Sequence, residues 1–215
     1  MRPVLILFAK APVPGKVKTR LARTVGLELA AKLHKAFVED TLEKATALTR
    51  KNAIDVELHT DAKTDAWSAF RVTRRLQVSG DLGNRMHHAL HGALALGRPQ
   101  AIIIGCDAPT LPASHLENLL EFAGDVALGP TEDGGYYAIS CRRTHPEMFR
   151  SVNWSTGQAL AETETACHTV GLSTSCGPAW FDVDEYEDLI RLFVRERLPR
   201  ATEALREQLG FGSAI

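Results

Sequence analysis

Apolar and polar positions alternate along this chain in blocks that predict strands and helices in turn. Unbroken apolar runs from Val4 to Ala9 and from Ala101 to Ile104 predict strands buried on both faces. Apolar residues spaced three or four apart between Leu29 and Leu48 predict a long helix. Strand and helix predictions alternate from the first residue, so we expect an α/β protein with a mostly parallel central sheet and helices on both faces, in three layers. No internal repeat or linker interrupts the pattern, so we expect one domain over residues 1–215.

The other predicted elements follow from the same two periodicities. Further strands are predicted at residues 54–60, 72–78, 125–128 and 136–140. Further helices are predicted at residues 61–70, 81–96, 113–122, 156–169, 185–195 and 200–209. The strand at 72–78 is the more polar, which places it near an edge of the sheet, and the looser pattern from residue 170 to 180 predicts no regular element.

Charge and cysteine usage narrow the class of protein. The 25 Lys and Arg residues nearly balance the 26 Asp and Glu residues, so no overall field attracts nucleic acid or an anionic membrane. No apolar run is long enough to span a bilayer. The four cysteines lack CxxC spacing, which favours reduced thiols and a cytoplasmic location. Any affinity for phosphate must therefore arise locally.

Asp107 follows the apolar strand that ends at Ile104. Open α/β sheets bind their ligands beyond the carboxyl ends of the strands, and Pro109 prevents this strand from continuing. A carboxylate in that position can hold a divalent cation on the phosphates of a nucleotide. The same residue can instead cap the helix that is predicted to begin near Pro112.

A basic loop follows the first strand. Its cations are Lys10, Lys16, Lys18, Arg20 and Arg23. Prolines and Gly15 shape this loop so that backbone amides can approach a ligand, and the next helix offers its positive end. Neither the GxxxxGK[ST] loop nor the GxGxxG fingerprint is present. The loop is predicted to bind a polyphosphate, although a solvated basic turn would have a similar composition.

Three other segments carry candidate chemistry. Asp182 and Asp184 share one face if their segment is extended, although acidic residues before a helix are also common as caps. The sequence from 129 to 135 predicts a hairpin turn through its Asp-Gly-Gly, and Tyr136 and Tyr137 after it could wall a sugar or base. The histidines of the helix at 81–96 lack the further ligands of a zinc site, so we expect none there.

Six segments in order resemble the nucleotide-diphospho-sugar transferase superfamily with the GT-A fold. They are FAKAPVPGKVKTRL, GDLGNRM, IIIGCDAPTL, LGPTEDGGYYAI, NWST and FDVDEYEDL. Within that superfamily, the chain more closely resembles a bacterial family of small glycosyltransferase-like proteins called radical-SAM/selenodomain-associated transferases. Lys18-Thr19-Arg20-Leu21 is also similar to 2-phospho-L-lactate guanylyltransferases, and Asp107 matches the metal-binding Asp of molybdopterin guanylyltransferases. The chain departs from its relatives at Cys106 and at Glu185-Tyr186.

The resemblance implies a role for each matching residue. Those implied to bind the nucleotide are Pro12, Gly15, Lys16, Lys18, Arg20, Asp81 and Arg85. Those implied to face the acceptor are Glu132, Asp133, Gly134 and Gly135. Asp107 and Asp184, with Asp182 as a helper, would bind Mg²⁺ or Mn²⁺.

The resemblance also implies the activity. We expect a metal-dependent glycosyltransferase that uses a nucleotide-diphospho-sugar donor and a small-molecule acceptor, with Asp107, Lys18 and Arg20 as its catalytic residues. One alternative is a nucleotidyltransferase that joins an NMP from an NTP to a phosphorylated small molecule, because several cations suit a triphosphate. The other is a nucleotide-binding protein without catalysis.

Overall fold

A computed structural model describes residues 1–212, with only the backbone for residues 50–52. The strands are β1 Val4–Ala9, β2 Asp55–Thr60, β3 Thr73–Leu76, β4 Ala101–Ile104, β5 Val126–Pro130, β6 Tyr136–Cys141 and β7 Thr174–Cys176. The α-helices are α1 Ala22–Val25, α2 Leu27–Asn52, α3 Leu82–Ala95, α4 Ala113–Glu121, α5 Ala159–Thr169, α6 Tyr186–Arg195 and α7 Arg200–Glu203. A 3₁₀ helix covers Pro146–Phe149.

All of the strands belong to one sheet, in the order β3-β2-β1-β4-β6-β5-β7. Strand β6 runs antiparallel to both of its neighbours, and every other pairing is parallel. From β1 the chain proceeds first to β2 on one side and later to β4 on the other, so the strand order reverses between β1 and β4. Ligands of open α/β sheets bind at such a switch point, beyond the carboxyl ends of the strands. This topology confirms the predicted mostly parallel α/β sheet and places the loops after β1 and β4 side by side.

Helices cover both faces of the sheet. On one face α2 and α4 pack against alternate residues of β1 and β4, among them Leu5 and Ile102. On the other face α3 and α5 pack against the intervening residues, among them Ile6 and Ile103. Because the side chains on both faces are buried, the sequences of β1 and β4 are continuously apolar and do not alternate between apolar and polar residues.

The C-terminal helices form a third apolar cluster with α2. Phe37 of α2 is buried against Leu189, Leu192 and other residues of α6. The Asp40 carboxylate accepts hydrogen bonds from the Thr202 backbone amide (2.9 Å) and hydroxyl (2.5 Å), which fixes the start of α7. This packing holds the segment before α6, with its two aspartates, over the carboxyl end of β4. In the described part of the chain no helix is both long and apolar enough to cross a membrane.

Three predicted elements were wrong or incomplete. Residues 61–70 form turns rather than a helix, because buried Trp67 anchors the segment by donating its indole N–H to the Lys35 carbonyl of α2. The stretch from 170 to 180 contains β7, a three-residue strand whose half-exposed side chains give no periodicity. The last predicted helix is regular only over Arg200–Glu203 and continues as turns.

Candidate active site

Lys18 joins two of the carboxylates that the sequence singled out. Its ammonium group lies 2.5 Å from Asp107 Oδ1 and 2.9 Å from Asp184 Oδ1, and it donates to the Val183 carbonyl at 2.7 Å. These three acceptors match the three donors of an ammonium group. The Lys18 side chain is only 3% exposed. Burial by itself would lower the Lys18 pKa, but Asp107 and Asp184 more than offset this effect and raise it, so the group stays charged.

The backbone conformation of the basic loop positions Lys18 between these acceptors. Lys18 has a left-handed conformation with a φ of 46°, which is uncommon for a residue with a side chain and typical of a functional constraint. Asp61 Oδ1 accepts from the Ala11 amide at 2.7 Å, and a turn links the Lys16 amide to the Val13 carbonyl. Gly15, three residues before Lys18, also has a positive φ, of 77°, which glycine adopts without a steric penalty.

Asp107 does not cap a helix. Helix α4 has Pro112 at its N-cap position, and no side chain forms a capping hydrogen bond there. The interpretation of Asp107 as the cap of this helix was therefore wrong. The Asp107 carbonyl instead accepts from the Val183 amide at 2.9 Å, which ties the β4 loop to the segment before α6. Burial tends to raise the Asp107 pKa, but the Lys18 ammonium holds it below the usual value. The side chain remains 48% exposed, so a ligand can reach it.

Asp182 adds a third carboxylate beside Asp107 and Asp184. It is not among the hydrogen-bond partners of Lys18 described above. Burial, followed by the neighbouring carboxylates Asp133 and Asp184, raises its pKa to about 6. Within the described residues no three or more His, Cys, Asp or Glu side chains are gathered to share one metal ion. The structure therefore brings Asp107 and Asp184 together on one cation and leaves Asp182 next to them.

Replacing Asp182 by Asn should stabilise the protein at pH 8. The carboxyl group titrates near 3.9 in an unfolded chain and near 6 in the folded protein, so its ionisation opposes folding. Well below pH 4 both states are protonated and there is no penalty; the penalty grows between about pH 4 and pH 6 and is constant at higher pH. Because Asp182 is partly solvated, we expect about 1–2 kcal/mol in the free energy of unfolding at pH 8.

Urea unfolding of wild type and Asp182→Asn in EDTA, at pH 4 and pH 8, measures this difference. A gain for the variant that is equal at both pH values would contradict the raised pKa.

The other residues implied to bind the nucleotide make local contacts of their own. Lys16 is exposed, and Arg20 lies 3.9 Å from Glu185 with both side chains largely exposed. Asp81 is the N-cap of α3, where it accepts from the Asn84 amide, and Arg85 donates to the Gly80 carbonyl. None of these four side chains contacts Lys18, so their roles toward a nucleotide stay predictions. Pro12 is half-buried in the loop.

The turn between β5 and β6 is built as the hairpin that its Asp-Gly-Gly predicted. Asp133 Oδ1 accepts from the Thr131 hydroxyl and from the Gly135 amide, which stabilises the turn. Glu132 forms a bidentate pair with Arg191 of α6 (2.5 and 3.0 Å) and thereby connects the turn to the helix after Asp184. Gly134 packs directly against the Gly157 carbonyl. The two tyrosines that follow lie in the cores on opposite sides of the sheet.

Sequence reasoning missed Lys44. Its ammonium group donates to the carbonyls of Pro109 and Leu111 and so holds the loop that carries Asp107. Burial lowers the Lys44 pKa to about 8. The available signal was its position, since Lys44 stands seven residues after Phe37 and four before Leu48 on the apolar face of α2. A lysine on a buried stripe indicates a specific partner.

Comparisons with known proteins find similarity over nearly the whole chain. Residues 22–156, more than half of the sequence, match the family described as "Uncharacterized protein conserved in bacteria (DUF2064)". A crystal structure from Desulfovibrio desulfuricans G20, described as a putative nucleotide-diphospho-sugar transferase, is 30% identical with a TM-score of 0.84 and covers 98% of this chain and 97% of that one.

Two matches of lower sequence identity carry nucleotidyltransferase names. The 2-phospho-L-lactate guanylyltransferase of Methanoculleus marisnigri is 24% identical over 208 residues, 94% of this chain and 87% of that protein. A nucleotidyl transferase from Methanothermobacter shares the fold at a TM-score of 0.56 and 13% identity, over 89% of this chain and 95% of that one. The sheet topology and the matched residues lead to one assignment: this chain belongs to the bacterial DUF2064 family and has the nucleotide-diphospho-sugar transferase-like fold.

Proposed function

We propose that this protein is a nucleotide-dependent transferase whose phosphate site lies between the loops after β1 and β4. The observation that carries the proposal is the buried Lys18, held by two carboxylates at the switch point of the sheet. A buried, charged cluster at the place where this fold binds ligands is typical of a functional site rather than of a stabilising one.

The charges around the cluster favour a polyphosphate ligand. In the part of the chain that the structure describes, no carboxylate lies within ion-pair distance of Lys10, Lys16 or Arg23. The three side chains are exposed. These free cations can neutralise phosphate oxygens.

A metal ion is part of the proposal. The Lys18 ammonium is itself a cation bound by carboxylate and carbonyl oxygens, which are the donors that Mg²⁺ and Mn²⁺ prefer. Asp107 and Asp184 would hold the metal, with Asp182 beside them. When bound, it would neutralise charge on the leaving phosphate group.

Nucleotidyl transfer is the reaction that we favour. A phosphate oxygen of the acceptor attacks the α-phosphorus of an NTP, the bond to the bridging oxygen breaks, and pyrophosphate leaves with that electron pair. The free cations of the basic loop suit the charge of a triphosphate, and a guanylyltransferase is among the curated relatives. The acceptor would approach from the turn that holds Glu132 and Asp133.

Glycosyl transfer from a nucleotide-diphospho-sugar is the second candidate. The relative that is 30% identical is described as a putative nucleotide-diphospho-sugar transferase, and the match covers 98% of this chain. There the bond that breaks joins the sugar to the diphosphate, and the NDP leaves.

Two assays separate the candidates. Each NTP with Mg²⁺ and phosphorylated acceptors, 2-phospho-L-lactate among them, should release pyrophosphate; nucleotide sugars should release NDP if the second candidate holds. Because the assays fail if the right acceptor is not among those tested, calorimetry should also measure whether NTPs and nucleotide sugars bind to the protein. If neither class binds, the proposal fails, and if binding is unchanged by Asp107→Asn and by EDTA, the protein is a nucleotide-binding protein without this chemistry.

A further inference from the structure

We infer that the Lys18 ammonium and a divalent cation are alternative occupants of one position between Asp107 and Asp184, so that Lys18 must leave before a metal ion can bind both carboxylates. The inference rests on the proposed metal site but not on the reaction. It assigns Lys18 a role beyond holding phosphate, namely as an internal cation that competes with the metal.

The contacts of Lys18 are those of a bound cation. All three of its donors are used, by Asp107 Oδ1, by Asp184 Oδ1 and by the Val183 carbonyl. The face of the Phe37 ring lies behind the ammonium, with its centroid 5.7 Å away. Every oxygen in this set is also a suitable ligand for Mg²⁺ or Mn²⁺.

Two cations cannot share these oxygens. A metal ion bound to the same Oδ1 atoms would lie within a few ångströms of the buried ammonium, where little water screens their repulsion. The Lys18 carbonyl accepts from the Ala22 amide of α1 at 2.8 Å, which holds the Lys18 backbone beside the carboxylates, so the effective concentration of its ammonium group there is high.

The two carboxylates can be reached from solvent. The Asp107 and Asp184 side chains are 48% and 43% exposed, whereas Lys18 is 3% exposed. The two carboxylates therefore present their solvent-facing sides to an incoming ion while the ammonium lies behind them. The left-handed backbone at Lys18 is an uncommon conformation that is typical of functional sites.

Mn²⁺ binding to the protein without nucleotide tests the competition. Electron paramagnetic resonance counts free Mn²⁺, and we expect Lys18→Met to bind the ion at least about tenfold more tightly than wild type. Lys16→Met removes the same charge from the same loop without touching either carboxylate, and should change the affinity by less than about twofold. The double variant Lys18→Met, Asp107→Asn should lose the gained affinity, which assigns it to this site.

A second measurement uses the wild-type chain and does not depend on folding of the variant. Acylation of lysines, read by mass spectrometry, should modify Lys18 slowly in EDTA and at least about fivefold faster at Mn²⁺ concentrations that fill the site, with Lys16 as the internal reference. Unchanged Mn²⁺ affinity in Lys18→Met, no Mn²⁺ binding by either protein, or an unchanged Lys18 labelling rate would each overturn the inference. None of these outcomes depends on nucleotide turnover, so they are separate from a failure of the proposed function.

Discussion

Asp107→Asn should reduce transferase activity at least about a thousandfold while the protein remains folded. The substitution keeps the shape of the side chain but removes the charge that holds Lys18 and that would hold the proposed metal ion in its place. Loss of several kcal/mol of stabilisation for the charge that develops on a phosphate leaving group corresponds to this factor. Turnover with the substrate pair found by the assays above measures the effect, and circular dichroism with urea unfolding verifies the fold.

Asp55→Asn is the matched control. Asp55 is 45% exposed and pairs with Arg98 at 2.7 Å, much as Asp107 is 48% exposed and pairs with Lys18 at 2.5 Å, but it lies at the amino end of β2. We expect this control to keep wild-type turnover. Retained turnover in Asp107→Asn would refute the assignment of Asp107.

Gly134→Ala should destabilise the protein by about 3 kcal/mol or more. Gly134 has a φ of 87°, and a Cβ there would lie 2.2 Å from the Gly157 carbonyl oxygen, which is backbone and cannot rotate away. The strained conformation and the overlap both oppose folding. The Gly134 carbonyl also accepts from the Leu160 amide at 3.0 Å, so a displaced turn would lose its link to α5.

Gly171→Ala separates the two contributions. Gly171 has a similar φ of 73°, but a Cβ there meets nothing within 4 Å. This variant should lose only about 1–2 kcal/mol through the left-handed conformation. Urea unfolding of both variants gives the comparison, and equal losses would show that the turn and residue 157 move apart at little cost.

Much of the fold was predictable because its signals are local. Burial on both faces gives β1 and β4 their apolar runs, and burial on one face gives α2 its apolar residues three or four apart. Both patterns can be recognised within a short stretch of sequence. The position of Asp107 beyond a strand was predictable for the same reason. Where burial was partial, local patterns missed the strand β7. Where one anchored side chain overrode propensity, at Trp67, they predicted a helix that does not form.

The candidate site shows the same division. By itself the sequence determined which residues carry charge and which strand ends they follow, because charge and periodicity are properties of the chain in order. Only the tertiary structure decided that Lys18 bridges Asp107 and Asp184, which are 89 and 166 residues away from it, and that Lys44 holds the Asp107 loop. The physical reason is that such contacts, and the burial that raises the Asp182 pKa, depend on distances between segments far apart in sequence, which are set when the helices pack on the sheet.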